Sequence, residues 1–532
     1  MKTNELKLII LFLLSIGITS CDKKAEEAKK PNIIFIMSDD HTKQAFGVYG
    51  SRLANLNPTP VLDKLASEGI VYTNAFCTNS ICTPSRANIL TGQYSQTNGI
   101  KVLDNPLPGE RQFLPIEMKK MGYQTAIIGK WHLKREPAAF DYYKVLPVQG
   151  KYFDPEFREK GKGTWPDNLV THEGHSSDVI TDLTLDWLEK RDKDQPFFLM
   201  HHYKAPHDDF EFAPRYTDYL EDTQIPEPEN LYYQPEFGSE GTRGKNDSLV
   251  HRIGTSVSPR HPVRSYTGQY EIDTANMEVK EATSLAYQEY LKRYLRCVKG
   301  VDDNLGRLFD YLKKNGLWEN TIIVYTGDQG MMLGEHDYMD KRWMYDESMG
   351  MPFIVHYPQA IAAGRKSDLL INNTDYGPTL IEMAGGQAPE YMQGKSFAKD
   401  LKGEEMGTWR KGTYYRYWMH LIHHDVPAHF GIRTKDYKLI FYYGLPYDMN
   451  DMGKPTMTWK KNSFKVEQTP AAWEFYNLKE DPSESHNLYN DPAYKEIIAE
   501  LKTELKTTRE ELNETDKDYP HIQEVIDQHW ND

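Results

Sequence analysis

Cys82-Thr83-Pro84-Ser85-Arg86 sets a sulfur nucleophile, a helix start and a cation within five residues, and runs on as Ala87-Asn88-Ile89-Leu90-Thr91-Gly92. Pro84 lacks an N–H and has a fixed φ, which suits the first turn of a helix. Residue 82 then stands at the helix N-terminus, where unpaired N–H groups favour an anion, and Arg86 lies one turn on, pointing back at the same place. A cysteine at such a point is equally a small buried side chain. Asp39 and Asp40 are adjacent carboxylates, suited to a hard divalent cation or to an ordinary turn. Asp328 and Gln329 offer acidic and amide oxygens that would complete such a shell. Lys130 and His132 are two apart, so on an extended stretch both face one side; the alternative is a solvent-reaching lysine and a hydrogen-bonded histidine. His207 closes the run His201-His202-Tyr203-Lys204-Ala205-Pro206-His207, which could bind zinc, and Lys341 lies between Asp340 and Arg342.

These residues need a frame, and the apolar pattern supplies one. Pro31-Asn32-Ile33-Ile34-Phe35-Ile36-Met37 is a strand buried on both faces, the mark of a parallel sheet, and it ends at the Asp pair. Open α/β sheets place ligands at the carboxyl ends of their strands. Similar runs at 70–76, 124–128, 196–200 and 321–325 lead into Cys82, Lys130, His207 and Asp328, and 352–357 is a further strand. Helical spacing marks 60–69, 113–121, 176–190, 284–314 and 374–384. Residues 225–283 lose periodicity and are read as an insertion at the sheet's active-site edge. Beyond 405 the texture changes to alternating β-formers at 414–418 and 431–443, and 491–512 closes the chain as a charged amphipathic helix.

The segment C-x-P-S-R followed by T-G resembles the signature of the type I sulfatases, whose cysteine is oxidised to formylglycine after translation. Gly129-Lys130-Trp131-His132 resembles that family's second motif, Lys204-x-Pro206-His207 a third, and Leu478 to Leu488 its carboxyl-terminal turn. The resemblance covers residues 31–490. It implies an α/β fold, an alkaline-phosphatase-like sandwich with a large mixed, mostly parallel sheet and a smaller C-terminal antiparallel sheet-and-helix domain. It further implies calcium on Asp39, Asp40, Asp328 and Gln329 beside residue 82, with Gln329 replacing the family's usual Asn. Lys130, His207 and Lys341 would hold sulfate and protonate the leaving oxygen, Arg86 would support residue 82, and His132 would help break down the sulfated hydrate. Hydrolysis of sulfate esters on carbohydrates is the implied activity. The stretches 326–357 and 415–438 look most like bacterial sulfatases that remove 6-O-sulfate from N-acetylglucosamine in mucin or glycosaminoglycan chains, acting at a chain end. Arg416, Trp418, His420, His423, His424 and His429 supply donors and a stacking face for a sugar, or else form a tyrosine-rich surface strand. A phosphatase or phosphonate monoester hydrolase of the same superfamily and a non-catalytic glycan-binding lipoprotein are the competing readings.

At 532 residues the chain has room for a large core and a smaller companion, divided here as 31–400 and 405–532. A net charge of −15 without a basic tract argues against nucleic acid as a partner. Residues 1–21 combine flanking lysines with an apolar run too short to span a bilayer. The small residues before Cys21 resemble a lipobox, which would make Cys21 a lipidated first residue, tethered by 22–30, in the bacterial periplasm or outer membrane. An ordinary secretory signal cleaved nearby is the other reading. The partners expected are a sulfated saccharide, a formylglycine-generating enzyme, and a membrane met through the lipid alone. Cys77 and Cys297 are the remaining cysteines, and no cysteine spacing suits a zinc site, since Cys77 and Cys82 are five apart and no C-x-x-C occurs.

Overall fold

The structure, a computed structural model, describes residues 29–232, 234–242, 276–422, 424, 426–448 and 468–532. The signal segment with Cys21, most of the tether, the middle of the 225–283 insertion and His423 lie outside the described residues.

Ten strands form the main sheet, in the order Arg365–Ser367, Ile70–Tyr72, Phe353–His356, Thr321–Gly327, Asn32–Asp39, Phe197–Pro206, Gln124–Lys130, Tyr142–Leu146, Glu156–Glu159 and Leu169–Thr171. The run from Thr321–Gly327 to Tyr142–Leu146 is parallel, and antiparallel pairings flank it on both sides. Strand alternation splits the apolar runs between two cores. Ile33, Phe35 and Met37 face one, with Ala87, Ile89, Leu114 and Leu380 of the covering helices. Ile34 and Ile36 face the other, with Leu62, Ile180, Leu291 and Leu305. A fully buried Ile or Leu contributes roughly 1.5 to 3 kcal/mol, and because both faces of the central strand are buried its register is set by how side chains of different size fit the two cores, not by which face is apolar.

A second sheet, antiparallel throughout, runs Gly412–Tyr417, His429–Thr434, Tyr437–Tyr442, Ala472–Asn477. One of its faces, with Tyr414, Phe430, Phe441 and Phe475, packs on the terminal helices through Leu501, Leu505, Ile522 and Ile526. The other face sends Tyr415, Tyr417, Ile440 and Tyr442 into the first core of the large sheet. This combination of a large, mostly parallel mixed sheet with a small antiparallel one is the architecture expected from the sequence.

Several element boundaries differ from expectation, for local reasons. The 70–76 strand divides: Ile70–Tyr72 pairs in the large sheet, whereas Ala75–Phe76 pairs with Ile371–Asn372. Gln124–Lys130 and Phe197–Pro206 outrun their apolar segments because parallel neighbours go on supplying hydrogen-bond partners through polar residues. The long helix starts earlier, at Val279. The helix Lys495–Glu511 does not close the chain; Pro520–His529 follows, with Ile522, Val525 and Ile526 buried at helical spacing. Edge strands Glu156–Glu159 and Leu169–Thr171 carry too few buried apolar residues to show in the pattern.

Candidate active site

Four adjacent parallel strands end at one place and deliver Asp39, Lys130, His207 and Asp328, while Cys82 comes from the helix Cys82–Thr91. Asp39, Asp40 and Asp328 each offer a carboxylate oxygen within 4.8 Å of the others, and Asp39, Cys82 and His207 form a second such group. The backbone bends sharply to achieve this. Asp40 (φ 64°), His132 (φ 55°), Asp340 (φ 79°) and Arg342 (φ 88°) all lie in the left-handed region that non-glycine residues avoid. Strain of this kind persists where packing over-determines it, and here it borders the cleft.

Cys82 opens its helix after the extended Ile81, and Pro84 lies in the first turn, as the sequence predicts. Arg86 turns back beneath it: Nε donates to Asp328 Oδ2 at 2.9 Å, Nη1 to the Lys130 carbonyl at 3.0 Å, and Nη2 is 3.6 Å from Asp39 Oδ1. The Ser85 hydroxyl donates to the Asp328 carbonyl, so helix and strand end are joined at two points. Gln329 Nε2 lies 3.7 Å from Cys82 Sγ and also donates to Asp40 Oδ1. Burial pushes the Cys82 thiol up to about 12, with Lys341 opposing and Asp328 and Asp40 reinforcing the shift. A thiol so held is protonated at neutral pH and is a weak nucleophile.

The cations divide the carboxylates between them. Lys130 Nζ donates to Asp39 Oδ2 and to Gln149 Oε1, and Lys341 Nζ donates to Asp40 Oδ2 at 2.5 Å. Burial raises the Asp40 carboxyl to about 6 against the pull of Lys341. Asp328 goes the other way: burial would raise it, but Arg86, Lys130 and Lys341 hold it below the usual range. His207 places Nε2 3.7 Å from Asp40 Oδ2, and Asp208 engages its Nδ1. Burial, with Lys130 and Lys341 nearby, lowers His207 to about 3. Lys130 and His132 do not share a side by strand alternation; the strand stops at Lys130 and a left-handed turn brings His132 round, its carbonyl accepting from Thr83 at 2.8 Å.

Asp39 Oδ1 and Gln329 Oε1 are buried and make no hydrogen bond among the described residues. Three carboxylates and an amide oxygen are hard donors, so the set fits a hard divalent cation. The histidine run does not converge on one ion: His201 is tied to Thr184, and His202 to the Lys130 carbonyl and Arg86, which leaves His207 alone of the run beside Asp39 and Cys82. Cys77, Cys82 and Cys297 are buried free thiols, so Cys77 and Cys297 are not paired with each other.

The candidate sugar-binding residues are placed differently. Arg416 is buried, ion-paired to Asp516 at 2.8 Å and to Glu514, with its guanidinium 3.6 Å from the Trp418 ring centroid. His420 Nδ1 accepts from the Ala428 amide at 3.1 Å, and His429 is enclosed by Tyr415, Tyr417 and Tyr442. Arg416 therefore fastens the small sheet to the terminal helices and does not face a sugar. Arg416→Leu should cost about 3 to 5 kcal/mol, because Glu514 and Asp516 lose a buried counter-charge; a denaturant midpoint equal to the parent's would refute that role. Among the described residues of the cluster, His424 reaches the site, with Nδ1 3.4 Å from Asp340 Oδ2 beside Lys341. Sequence reasoning missed Asp208, Gln149 and the pair Asp340 and Arg342. Asp340 and Arg342 flank Lys341 and Asp208 follows His207, a signal that was available; Gln149 is brought in by a loop path.

Residues 31–386 match the sulfatase family, and 334–457 and 447–511 match the C-terminal region of N-sulphoglucosamine sulphohydrolase. The chain is similar to N-acetylglucosamine-6-O-sulfatase of Bacteroides thetaiotaomicron, 37% identical over 553 residues that span 97% of this chain and 93% of the relative. It is also similar to N-acetylglucosamine-6-sulfatase of Capra hircus, 27% identical over 417 residues, 74% of this chain and 67% of the relative. A solved structure of a protein in complex with its substrate, D-glucosamine-2-N,6-O-disulfate, superposes with a TM-score of 0.80 at 36% identity, covering 92% of this chain and all of the other. A strand-end cluster of this composition, in a chain matched along nearly its whole length, places the protein in the sulfatase family, with that family's alkaline-phosphatase-like architecture.

Proposed function

We propose that this sulfatase removes the 6-O-sulfate of N-acetylglucosamine at the end of a glycosaminoglycan or mucin chain, using calcium and a formylglycine made from Cys82. The observation that carries the chemistry is the position of residue 82. It stands at a helix N-terminus among three carboxylates, two lysines and a histidine, with a thiol too basic to ionise. An aldehyde hydrate at that position offers two hydroxyls, one to accept the sulfuryl group and one whose deprotonation expels it. What supports the substrate is the bacterial relative's name as an N-acetylglucosamine-6-O-sulfatase and the D-glucosamine-2-N,6-O-disulfate bound by the solved neighbour. The export and lipid anchoring expected from residues 1–21 belong to the same proposal.

Calcium would be held by Asp39, Asp40, Asp328 and Gln329, and when bound it would neutralise charge on the sulfate and lower the cost of bringing an anionic ester to a nucleophile. The chain's own groups account for the rest. Lys130 and Lys341 approach the cleft from opposite carboxylates and can hold the sulfate's outer oxygens. His207, steadied by Asp208, presents Nε2 to the cleft and can donate to the leaving sugar oxygen once a bound sulfate's negative charge raises the ring from its lowered value in the empty site. Asp328, kept ionised by Arg86, can take a proton from residue 82. His132, whose Nδ1 has no hydrogen bond among the described residues, is placed to take the second. Asp340 and Arg342, flanking Lys341, and His424, which meets Asp340, are further polar groups at that edge of the site and are candidates for contact with the sugar.

A panel of mono-sulfated saccharides differing in sulfate position and sugar, run beside the matching phosphate monoester, tests the proposal. N-acetylglucosamine 6-sulfate should be turned over best, at least about 10-fold above its 3-O- or 4-O-sulfated counterparts, since misplacing a hydrogen-bonded sugar hydroxyl typically costs 1.5 to 3 kcal/mol. Preference for a 2-O- or 4-O-sulfated sugar would overturn the substrate and leave the sulfatase assignment in place. Faster phosphate ester hydrolysis would overturn the reaction.

A further inference from the structure

We infer that Lys101 is a second anion contact of the substrate-binding surface, for a carboxylate or a further sulfate on the sugar next to the one being desulfated. This rests on the saccharide reading above. The Lys101 ammonium sits among three aromatic rings, 4.8 Å from the Trp418 centroid, 5.3 Å from Tyr447 and 4.9 Å from Tyr519, and donates to the Tyr519 hydroxyl. Such a cage attracts a cation through the ring quadrupoles but supplies no negative charge. Among the described residues no carboxylate lies within ion-pair distance of Lys101, whereas Lys130, Lys134 and Lys341 each have one. One of the three ammonium donors is engaged by Tyr519. The other two are unpaired among the described residues, at a side chain that is only partly buried. Two unmet donors at a half-buried cation, in a chain of net charge −15, describe a place that accepts an anion.

Its neighbours connect it to the segments that carry the reacting groups. The Lys101 carbonyl accepts from Asn79 Nδ2 at 3.2 Å, three residues before Cys82. Asp104 pairs at 3.0 Å with Lys134, two residues past His132. Six residues beyond Trp418, His424 reaches Asp340 at the edge of Lys341. The cage thus stands on the segments that border the reacting groups from two sides. A lone sulfated sugar would not need it; an acidic neighbour would. Lys101 then distinguishes acidic polysaccharide chains from neutral ones.

The test compares the parent with Lys101→Met, which keeps the stem among the rings and removes the charge, and Lys101→Arg, which keeps the charge. Substrates are N-acetylglucosamine 6-sulfate alone and the same sugar joined to a neutral galactose, to a uronic acid, or to a sulfated galactose. Lys101→Met should lose roughly 3- to 10-fold in kcat/KM, through KM, on the uronate or the doubly sulfated saccharide, and less than about 2-fold on the other two; Lys101→Arg should recover most of it. Which acidic arm responds identifies the anion. Equal losses on all four substrates would make the cage a structural fastening, and no loss on either acidic arm would remove Lys101 from recognition. Calorimetric titration of the same saccharides into Cys82→Ala and Cys82→Ala/Lys101→Met proteins gives the ranking without turnover. Equal affinity of the two for the acidic saccharides overturns the inference even if 6-O-desulfation proves to be the wrong reaction.

Discussion

Cys82→Ala protein should fold like the parent and hydrolyse no sulfate ester, with a loss of at least about 10⁴-fold, the scale expected when the group that forms the covalent intermediate is removed. The fold should survive because Cys82 is one small side chain in a helix whose other contacts, through Ser85, Arg86, Asn88 and Ile89, are untouched. A melting shift below about 4 °C is the expectation. Cys82→Ser is the sharper probe. Without a host enzyme that oxidises serine, its hydroxyl has no second oxygen on the same carbon, so a sulfuryl group accepted there could not be expelled and would remain on the protein. Intact-mass measurement after exposure to substrate should find it. Full turnover by protein whose residue 82 is shown by peptide mass to be unmodified cysteine would refute the formylglycine mechanism.

Why the catalytic half of the site was legible follows from how the residues are held. Asp39, Lys130, His207 and Asp328 sit at the ends of strands whose apolar runs are buried on both faces, and such runs can be read directly. Each polar cluster is then the first residue set past a strand, which fixes its place in any parallel sheet. Cys82 and Arg86 are one turn apart on a helix announced by Pro84. Local sequence therefore carried both the element and the direction.

The recognition half was not legible because its contacts span long sequence separations. Arg416 next to Trp418 and His420 reads the same whether it faces a sugar or two acids about a hundred residues later; the structure finds Glu514 and Asp516 there. Nothing in the charged helix Lys495–Glu511 marks the turn after it as the partner of a strand. Lys101, conversely, looks like any loop lysine until the small sheet and the terminal helices bring Trp418, Tyr447 and Tyr519 around it. The edge strands from 142 to 171 were missed for a different reason. They pair at the margin of the sheet, with one side toward solvent, and lack the continuous apolar runs of the centre.

Removing divalent ions with a chelator should abolish activity by about 10³-fold or more, and calcium should restore it while zinc should not. The donor set decides this: Asp39, Asp40, Asp328 and Gln329 contribute oxygens alone, whereas zinc favours sites with histidine nitrogen or thiolate sulfur. Chelation should nevertheless leave the protein folded. Arg86, Lys130 and Lys341 already lie against the three carboxylates, so the cluster is not left as a bare concentration of negative charge. Calcium at about 100 times its Kd should then add about 2.7 kcal/mol, seen as a raised midpoint of thermal or denaturant unfolding. Asp40→Asn separates the two effects. It removes one charged oxygen donor and keeps the shape, so activity should fall by about 10²-fold or more and the calcium-induced rise in midpoint should shrink, while the calcium-free midpoint stays close to the parent's or increases, because the burial cost of the Asp40 charge and its repulsion from Asp328 are removed together with its pairing to Lys341. Recovery of the chelated enzyme by zinc but not by calcium, or a calcium-free Asp40→Asn protein that fails to fold, would overturn the assignment of this cluster as a cation site that the lysines hold in readiness.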